Sequence, residues 1–263
     1  MAKIDTLKEI VAKKKEKLAL VKQVLPEEEL KAKLAALAPT RPFLEAVHKP
    51  RTISLIAEIK KQSPSVGVIR PEFNLQEIAR IYQETGVQAI SVLTEEDFFG
   101  GNITYLNDVK AVTEVPILRK DFLLEPYQVY ESRYFGADAI LLIADLLTQD
   151  QLTEMMQIAS TLGLDYLIEV HDEKELKKVL KLKDVKLIGI NNRNLRTLEV
   201  DPKTVERLIT LVPKDKVVVV ESGIRSKQDV MFYKILGVSA VLIGTSFMSA
   251  PDLRNKVEEV MGW

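Results

Sequence analysis

No cysteine occurs among the 263 residues, and there are only two histidines, His48 and His171. The first absence removes disulfide frameworks, thiolate nucleophiles, Cys-ligated zinc and iron–sulfur clusters. The second leaves a His-rich metal site without ligands, so no metal is expected. Long apolar runs are missing too: no stretch approaches the ~18 residues that span a bilayer, and the first residues show no apolar core followed by a small-residue cleavage site. Neither sign of charge is in excess, with 37 Lys and Arg against 38 Asp and Glu, a net charge of −1 and a pI near 6.3. That balance gives no footprint for sequence-independent nucleic-acid binding. An anionic small molecule is still compatible with it, because one local pair of cations is invisible in a total. The expectation is a cytoplasmic protein that touches neither nucleic acid nor membrane.

What is present is enough apolar material for a large core: 46% of residues are hydrophobic and 29% charged. The length fits two modest domains or one α/β barrel of roughly 250 residues. From Met1 to about Leu37 the chain is rich in Lys, Glu, Leu and Ala. Apolar residues at Ile4, Leu7, Ile10, Val11 and Leu18 predict an amphipathic helix, and Pro26 before three glutamates opens a second one. The run Lys13-Lys14-Lys15 is interleaved with Glu9 and Glu16 and reads as a solvated helix face.

From Leu55 onward, short β-branched runs alternate with helical segments. The candidate strands are Leu55–Lys60, Gln88–Leu93, Val115–Lys120, Asp138–Ile143, Tyr166–Val170, Val185–Ile190, Lys216–Glu221 and Ser239–Ile243, starting roughly every 20 to 33 residues. Helix-like stretches such as Leu75–Glu84, Thr148–Leu162, Lys174–Leu182 and Lys227–Leu236 fill the gaps. This alternation implies right-handed βαβ units and a parallel sheet. The phrases beginning at Gly86, Gly136 and Gly237, each just before a strand, suit helix C-termini turning back into the sheet. Eight units, with no G-x-G-x-x-G turn after the first strand, favour a closed (β/α)8 TIM barrel over an open doubly wound sheet. With no linker in sight, residues 1–263 read as a single barrel domain in which 1–50 form a helical N-terminal extension covering one end.

Active sites of such barrels lie at the C-terminal ends of the strands. Five candidate strands end in residues that an apolar core would not choose: Glu58-Ile59-Lys60, Arg119-Lys120-Asp121, Glu169-Val170-His171, Asn191-Asn192-Arg193 and Glu221-Ser222-Gly223. Side chains alternate along a strand, so with Ile56 and Leu118 inside, Glu58, Lys60 and Lys120 point into the mouth. Lysines and carboxylates sharing a partly desolvated mouth suit acid–base chemistry. Gly223 and Gly244, the latter before Thr245, permit backbone N–H groups to approach an anion, and Arg193 adds a bidentate guanidinium, as in a barrel phosphate site. The polar loop Lys60–Arg70 reads as a lid or a solvent loop. Phe99 and Phe122 suit stacking on an aromatic ring or plain packing. His171 is assigned a surface or supporting place and His48 a structural one.

At these strand ends the sequence resembles the indole-3-glycerol phosphate synthase family. The motifs that carry the likeness are Ile56-Ala57-Glu58-Ile59-Lys60-Lys61-Gln62-Ser63-Pro64-Ser65, Leu93-Thr94-Glu95-Glu96 with Phe99-Gly100-Gly101, Leu118-Arg119-Lys120-Asp121-Phe122, Ile168-Glu169-Val170-His171, Gly189-Ile190-Asn191-Asn192-Arg193, Glu221-Ser222-Gly223-Ile224 and Ile243-Gly244-Thr245. They run through the chain in order. The resemblance implies ring closure, decarboxylation and dehydration of 1-(2-carboxyphenylamino)-1-deoxyribulose 5-phosphate to indole-3-glycerol phosphate, by a carboxy-lyase of tryptophan biosynthesis acting as a monomer without cofactor. It further implies Lys120 as general acid, Glu169 as the carboxylate that takes a proton or stabilises developing positive charge, and Lys60 with Glu58 in binding and dehydration. Asn191, Glu221 and Ser222 would orient the substrate. Arg193, Gly223, Gly244 and Thr245 would hold it at the phosphate end and Phe99 and Phe122 at the ring, with Ser63 as a further substrate contact. A lysine donates readily near neutral pH if a neighbour lowers its pKa, and Lys60 is the expected neighbour of Lys120. Other readings are a related phosphate-binding barrel such as phosphoribosylanthranilate isomerase, which the missing cysteine disfavours, or a non-catalytic or retuned barrel that binds a phosphorylated metabolite.

Overall fold

The computed structural model describes residues 5–263, so the Ile4 position of the predicted stripe lies outside the described residues. Three helices come first: α1 (Thr6–Val24), α2 (Glu27–Leu34) and α3 (Phe43–Val47). Strand β1 (Ser54–Ile59) follows, then a two-rung antiparallel hairpin of β2 (Gln62–Ser63) and β3 (Gly67–Val68). Next come α4 (Leu75–Glu84), β4 (Ala89–Leu93), α5 (Tyr105–Lys110), β5 (Ile117–Lys120), α6 (Tyr127–Tyr134), β6 (Ala139–Ile143) and α7 (Gln149–Thr161). The chain ends through β7 (Asp165–Val170), α8 (Glu173–Val179), β8 (Leu187–Asn191), α9 (Lys203–Ile209), β9 (Val217–Glu221), α10 (Lys227–Ile235), β10 (Ala240–Ile243), α11 (Thr245–Met248) and α12 (Leu253–Met261). The strands β1 and β4–β10 pair in parallel and close into the (β/α)8 TIM barrel, β10 returning to β1.

Two-residue alternation divides the strand side chains cleanly. Ile56, Ala89, Leu118, Leu141, Leu167, Leu187, Val219 and Leu242 fill the barrel interior as one apolar cluster. Their neighbours Leu55, Ala57, Ile90, Ile140, Ile168, Ile188, Val220 and Val241 face outward onto the helices. Burying each branched side chain contributes about 1.5–3 kcal/mol, so both faces must be apolar until the strand reaches the mouth. The turn glycines behave as read: Gly86, Gly136 and Gly237 take left-handed φ values of 76°, 92° and 87°, which a side chain would resist.

The N-terminal helices do more than cover one end. Helix α1 lies across the mouth, where its Leu7 and Ile10 join the interior cluster beside Phe122. Helix α2 packs Leu30 with Leu18 and Tyr127 on the flank. Helix α3 lies at the opposite end, where Phe43 and Val47 enter the interior cluster and the Leu44 N–H donates to Asp165 at the start of β7 at 2.8 Å. The solvated reading of the lysine run holds for Lys13 and Lys15 but not for Lys14, which is buried and reaches Asp121 at 2.6 Å. Helical rotation explains the split: Lys14 follows Ile10 by four residues, on the inward face.

Candidate active site

The pleat that packs the interior also aims the polar strand ends. In the register, Glu169 on β7 lies beside Gly189 on β8, and Asn191 lies beside Glu221 on β9. Glu169, Asn191 and Glu221 point inward, in a layer above Leu167 and Val219. Lys120 rises from β5 into the same layer. Its ammonium donates to Glu169 Oε2 at 2.8 Å and stands 3.1 Å from Glu221 Oε2, with only 13% of the side chain exposed. Gly189 makes this possible: a Cβ there would stand 2.6 Å from Glu221 Oε1.

Burial opposes the charge on Lys120, but Glu169, Glu221 and Glu58 outweigh it and drive the pKa far above the ordinary lysine value. The expected lowering by Lys60 is therefore not found, because Lys60 turns to Glu58 at 2.5 Å while carboxylates surround Lys120. The two carboxylates split in opposite directions. Burial pushes Glu169 up, yet Lys120 and His171 more than offset it and hold the group well below the usual range. Glu221 is pushed up to about 8 by burial and then by the negative charge of Glu169. The surroundings thus pull the two carboxylates apart, Glu169 towards the ionised form and Glu221 towards the neutral one.

The other predicted residues meet around the same cavity of about 830 Å³. Glu58, Lys60, Ser63, Asn191, Arg193, Ser222, Gly223, Gly244 and Thr245 all line it. Asn191 accepts from the Arg193 backbone N–H at 2.9 Å, and the Arg193 guanidinium donates to the Leu198 carbonyl at 2.9 Å. Burial lowers the pKa of Arg193 from its ordinary value, so its partly desolvated charge is available to an anion. Ser222 and Gly223 take φ values of 67° and 84°. For Ser222 such a backbone costs about 1–3 kcal/mol, a strain characteristic of functional loops. A side chain at Gly244 would press on Glu58 and force its carboxylate to shift. The loop after β1 is a small hairpin rather than free chain, and Arg70 ties it to the Met248 and Ala250 carbonyls at 3.2 and 3.1 Å.

The apolar side of the cavity is formed by Ile10, Leu93, Phe99, Phe122, Leu141, Ile143 and Leu195. Phe99 and Phe122 stand 6.1 Å apart, tilted by 38°. Glu95 holds the loop that carries Phe99 by accepting the N–H groups of Asp97, Phe98 and Phe99 at 3.1, 2.8 and 3.1 Å. Sequence reasoning missed this brace, and also a buried network behind Lys120. There Arg119 binds Asp121 at 2.9 Å and Glu131 at 2.8 Å, and Asp121 also takes Thr94 Oγ1 at 2.6 Å and Lys14. The alternation that puts Lys120 inside puts Arg119 outside, under helix α6, and this was readable. Ile10, Arg225 and Lys256 also line the cavity; they come from helices and loops whose approach no strand pattern encodes. His171 is half-buried, its ring turned in against Glu169, whereas His48 is exposed after α3. Among the described residues, no group of acidic and histidine side chains is arranged to hold a metal ion.

A closed parallel barrel with a lysine clamped between carboxylates at its mouth defines the class, a (β/α)8-barrel enzyme built for acid–base chemistry. The fold is shared with 3-hexulose-6-phosphate synthase from Salmonella typhimurium, with a TM-score of 0.62 and 12% identity over 80% of this chain and 97% of that one. Residues 7–260 match the family described as indole-3-glycerol phosphate synthase. The indole-3-glycerol phosphate synthase of Caldanaerobacter subterraneus subsp. tengcongensis is 49% identical, covering 97% of this chain and 99% of the relative. That of Acetivibrio thermocellus is 47% identical, covering 96% and 98%. The chain belongs to the indole-3-glycerol phosphate synthase family, which sets aside the isomerase and the non-catalytic barrel.

Proposed function

We propose that this mouth converts 1-(2-carboxyphenylamino)-1-deoxyribulose 5-phosphate to indole-3-glycerol phosphate, carbon dioxide and water, with the following division of labour. Arg193 and the backbone about Gly223, Gly244 and Thr245, with Ser63, hold the phosphate. Phe99 and Phe122 flank the ring, and Asn191, Glu221 and Ser222 orient it. Lys120 gives a proton to the carbonyl oxygen as the ring carbon bearing the carboxylate attacks the carbonyl carbon. Glu169 stabilises the positive charge that develops. Carbon dioxide then leaves, and its bonding pair restores the aromatic ring. Lys60, paired with Glu58, serves binding and the dehydration, in which the new hydroxyl departs as water and the adjacent carbon loses a proton.

The observation that carries this reading is the Lys120 ammonium held between Glu169 and Glu221 at 2.8 and 3.1 Å on the floor of a cavity with one apolar and one cationic side. Its high pKa is no obstacle, because the oxygen it protonates is becoming an alkoxide, a stronger base than an amine. The cavity lies within the ~300–1,000 Å³ range of small-molecule sites. Balanced charge supports a protein that leaves nucleic acid alone, and among the described residues no helix is long and apolar enough to cross a membrane. Incubation with the carboxyphenylamino substrate should produce indole fluorescence with one equivalent of carbon dioxide; binding without either product contradicts the proposal.

A further inference from the structure

The Glu169 carboxylate has a second neighbour that the reaction scheme leaves unused. Its Oε2 faces Lys120, while Oε1 lies 3.0 Å from His171 Nε2. That contact is close enough for strong charge interaction, but it is out of line for a directed hydrogen bond, and both atoms are buried with no other partner. His171 is held from behind by Glu175 on α8. One oxygen of Glu175 sits 3.1 Å from His171 Nδ1 and accepts the His171 backbone N–H at 2.9 Å. The spacing Glu169-x-His171 puts both side chains on one face of β7 and the residue that follows it, and Glu175 meets them across the first turn of α8.

We propose that His171 is a positioning residue for the reaction: anchored by Glu175, it supplies the second counter-charge that fixes the Glu169 carboxylate against Lys120. The proposal rests on the reading that Glu169 acts in the ring closure. Only an imidazolium fits the geometry, because each ring nitrogen faces a carboxylate oxygen and needs a proton to do so favourably. Burial opposes that charge, but Glu169 and Glu175 outweigh it and hold the His171 pKa up at about 10. Other charges near this group are already engaged. Asp172 caps α8 by accepting the Glu175 N–H at 2.8 Å, and Asp145 in the loop after β6 binds Arg196 at 2.7 Å. Lys120 and Glu221 reach His171 only through Glu169. An opposite charge at this distance lowers a carboxylate by about one to three pH units, so His171 sets where Glu169 takes up a proton.

Two measurements test this. The chain has only two histidines, so an NMR titration of the imidazole carbons resolves both, with His48→Gln assigning them. The His171 signal should stay in the protonated position through pH 8; a midpoint near the ordinary value of about 6.5 overturns the proposal. Second, kcat is followed from pH 5 to 9 for the wild type, His171→Gln, Glu175→Gln and Glu169→Gln. In His171→Gln the acid limb should move up by about one unit or more, with KM within twofold, and Glu175→Gln should move it less, in the same direction. A purely structural histidine would lower thermal stability and leave the profile superimposed on the wild type, which overturns the proposal while leaving Glu169 its role. If Glu169→Gln retains wild-type kcat, the reading of Glu169 fails, and the proposal fails with it.

Discussion

Burying Glu221 beside Glu169 costs the folded state free energy at neutral pH, because the folded protein keeps a proton that the unfolded chain has released. The ordinary value is 4.5 and the folded one about 8, so the group's contribution to stability is fully present below about pH 4.5. It is lost as pH rises through about 8. Glutamine copies the protonated form without this penalty. Glu221→Gln should therefore melt higher than the wild type by about 2–4 °C at pH 8, with the gap closing towards pH 5, while kcat falls. Differential scanning calorimetry at the two pH values decides the matter; an equal gap at both would show that the proton is not the cause. Ser222 is a second residue where the fold carries strain, in the left-handed backbone at the mouth.

Helix α1 shows how an element outside the barrel becomes part of the site. Ile10 lines the cavity, and Lys14 pairs with Asp121, which follows Lys120 directly and is shared with Arg119. Asp121 is raised by burial but held far lower by Lys14 and Arg119, so it stays ionised and keeps α1 seated. Lys14→Met should loosen that seat and raise KM about tenfold, a loss of about 1.4 kcal/mol. Its effect on kcat should be much smaller; steady-state kinetics showing an unchanged KM would contradict this. The amphipathic stripe of α1 was legible because apolar spacing over nineteen residues averages out local noise. Helix α3 was not, since five residues are too few to display a period, and the β2–β3 hairpin rests on backbone bonds that no side-chain pattern announces. Nor did a charge count reveal which lysine of three turns inward.

Across the whole molecule, polar groups are segregated by role. At the closed end, Asp138 is fully buried and takes the Ile117 N–H at 2.9 Å, the Arg41 N–H at 2.7 Å and the Lys110 ammonium. These bonds satisfy the start of β5 and the chain that passes beneath the barrel. At the mouth, by contrast, charges are left partly unsatisfied, with one oxygen each of Glu169 and Glu221 lacking a directed partner. The barrel was readable because β-branched runs recurred eight times along the chain, and so were the inward-facing catalytic candidates, because strand alternation assigns them a side. The electrostatic state of Lys120 was not, because it depends on which carboxylates the closure of the barrel brings from β7 and β9.

The role of Lys120 as the proton donor is tested most directly by Lys120→Met. Burial and the charge of Glu169 push Glu221 towards its neutral form and His171 faces Glu169, so the variant should fold and bind substrate. A positioned acid is worth about 10²- to 10⁴-fold, and kcat for indole-3-glycerol phosphate formation should fall by at least the lower figure with KM little changed. A kcat within a few-fold of the wild type would contradict the account.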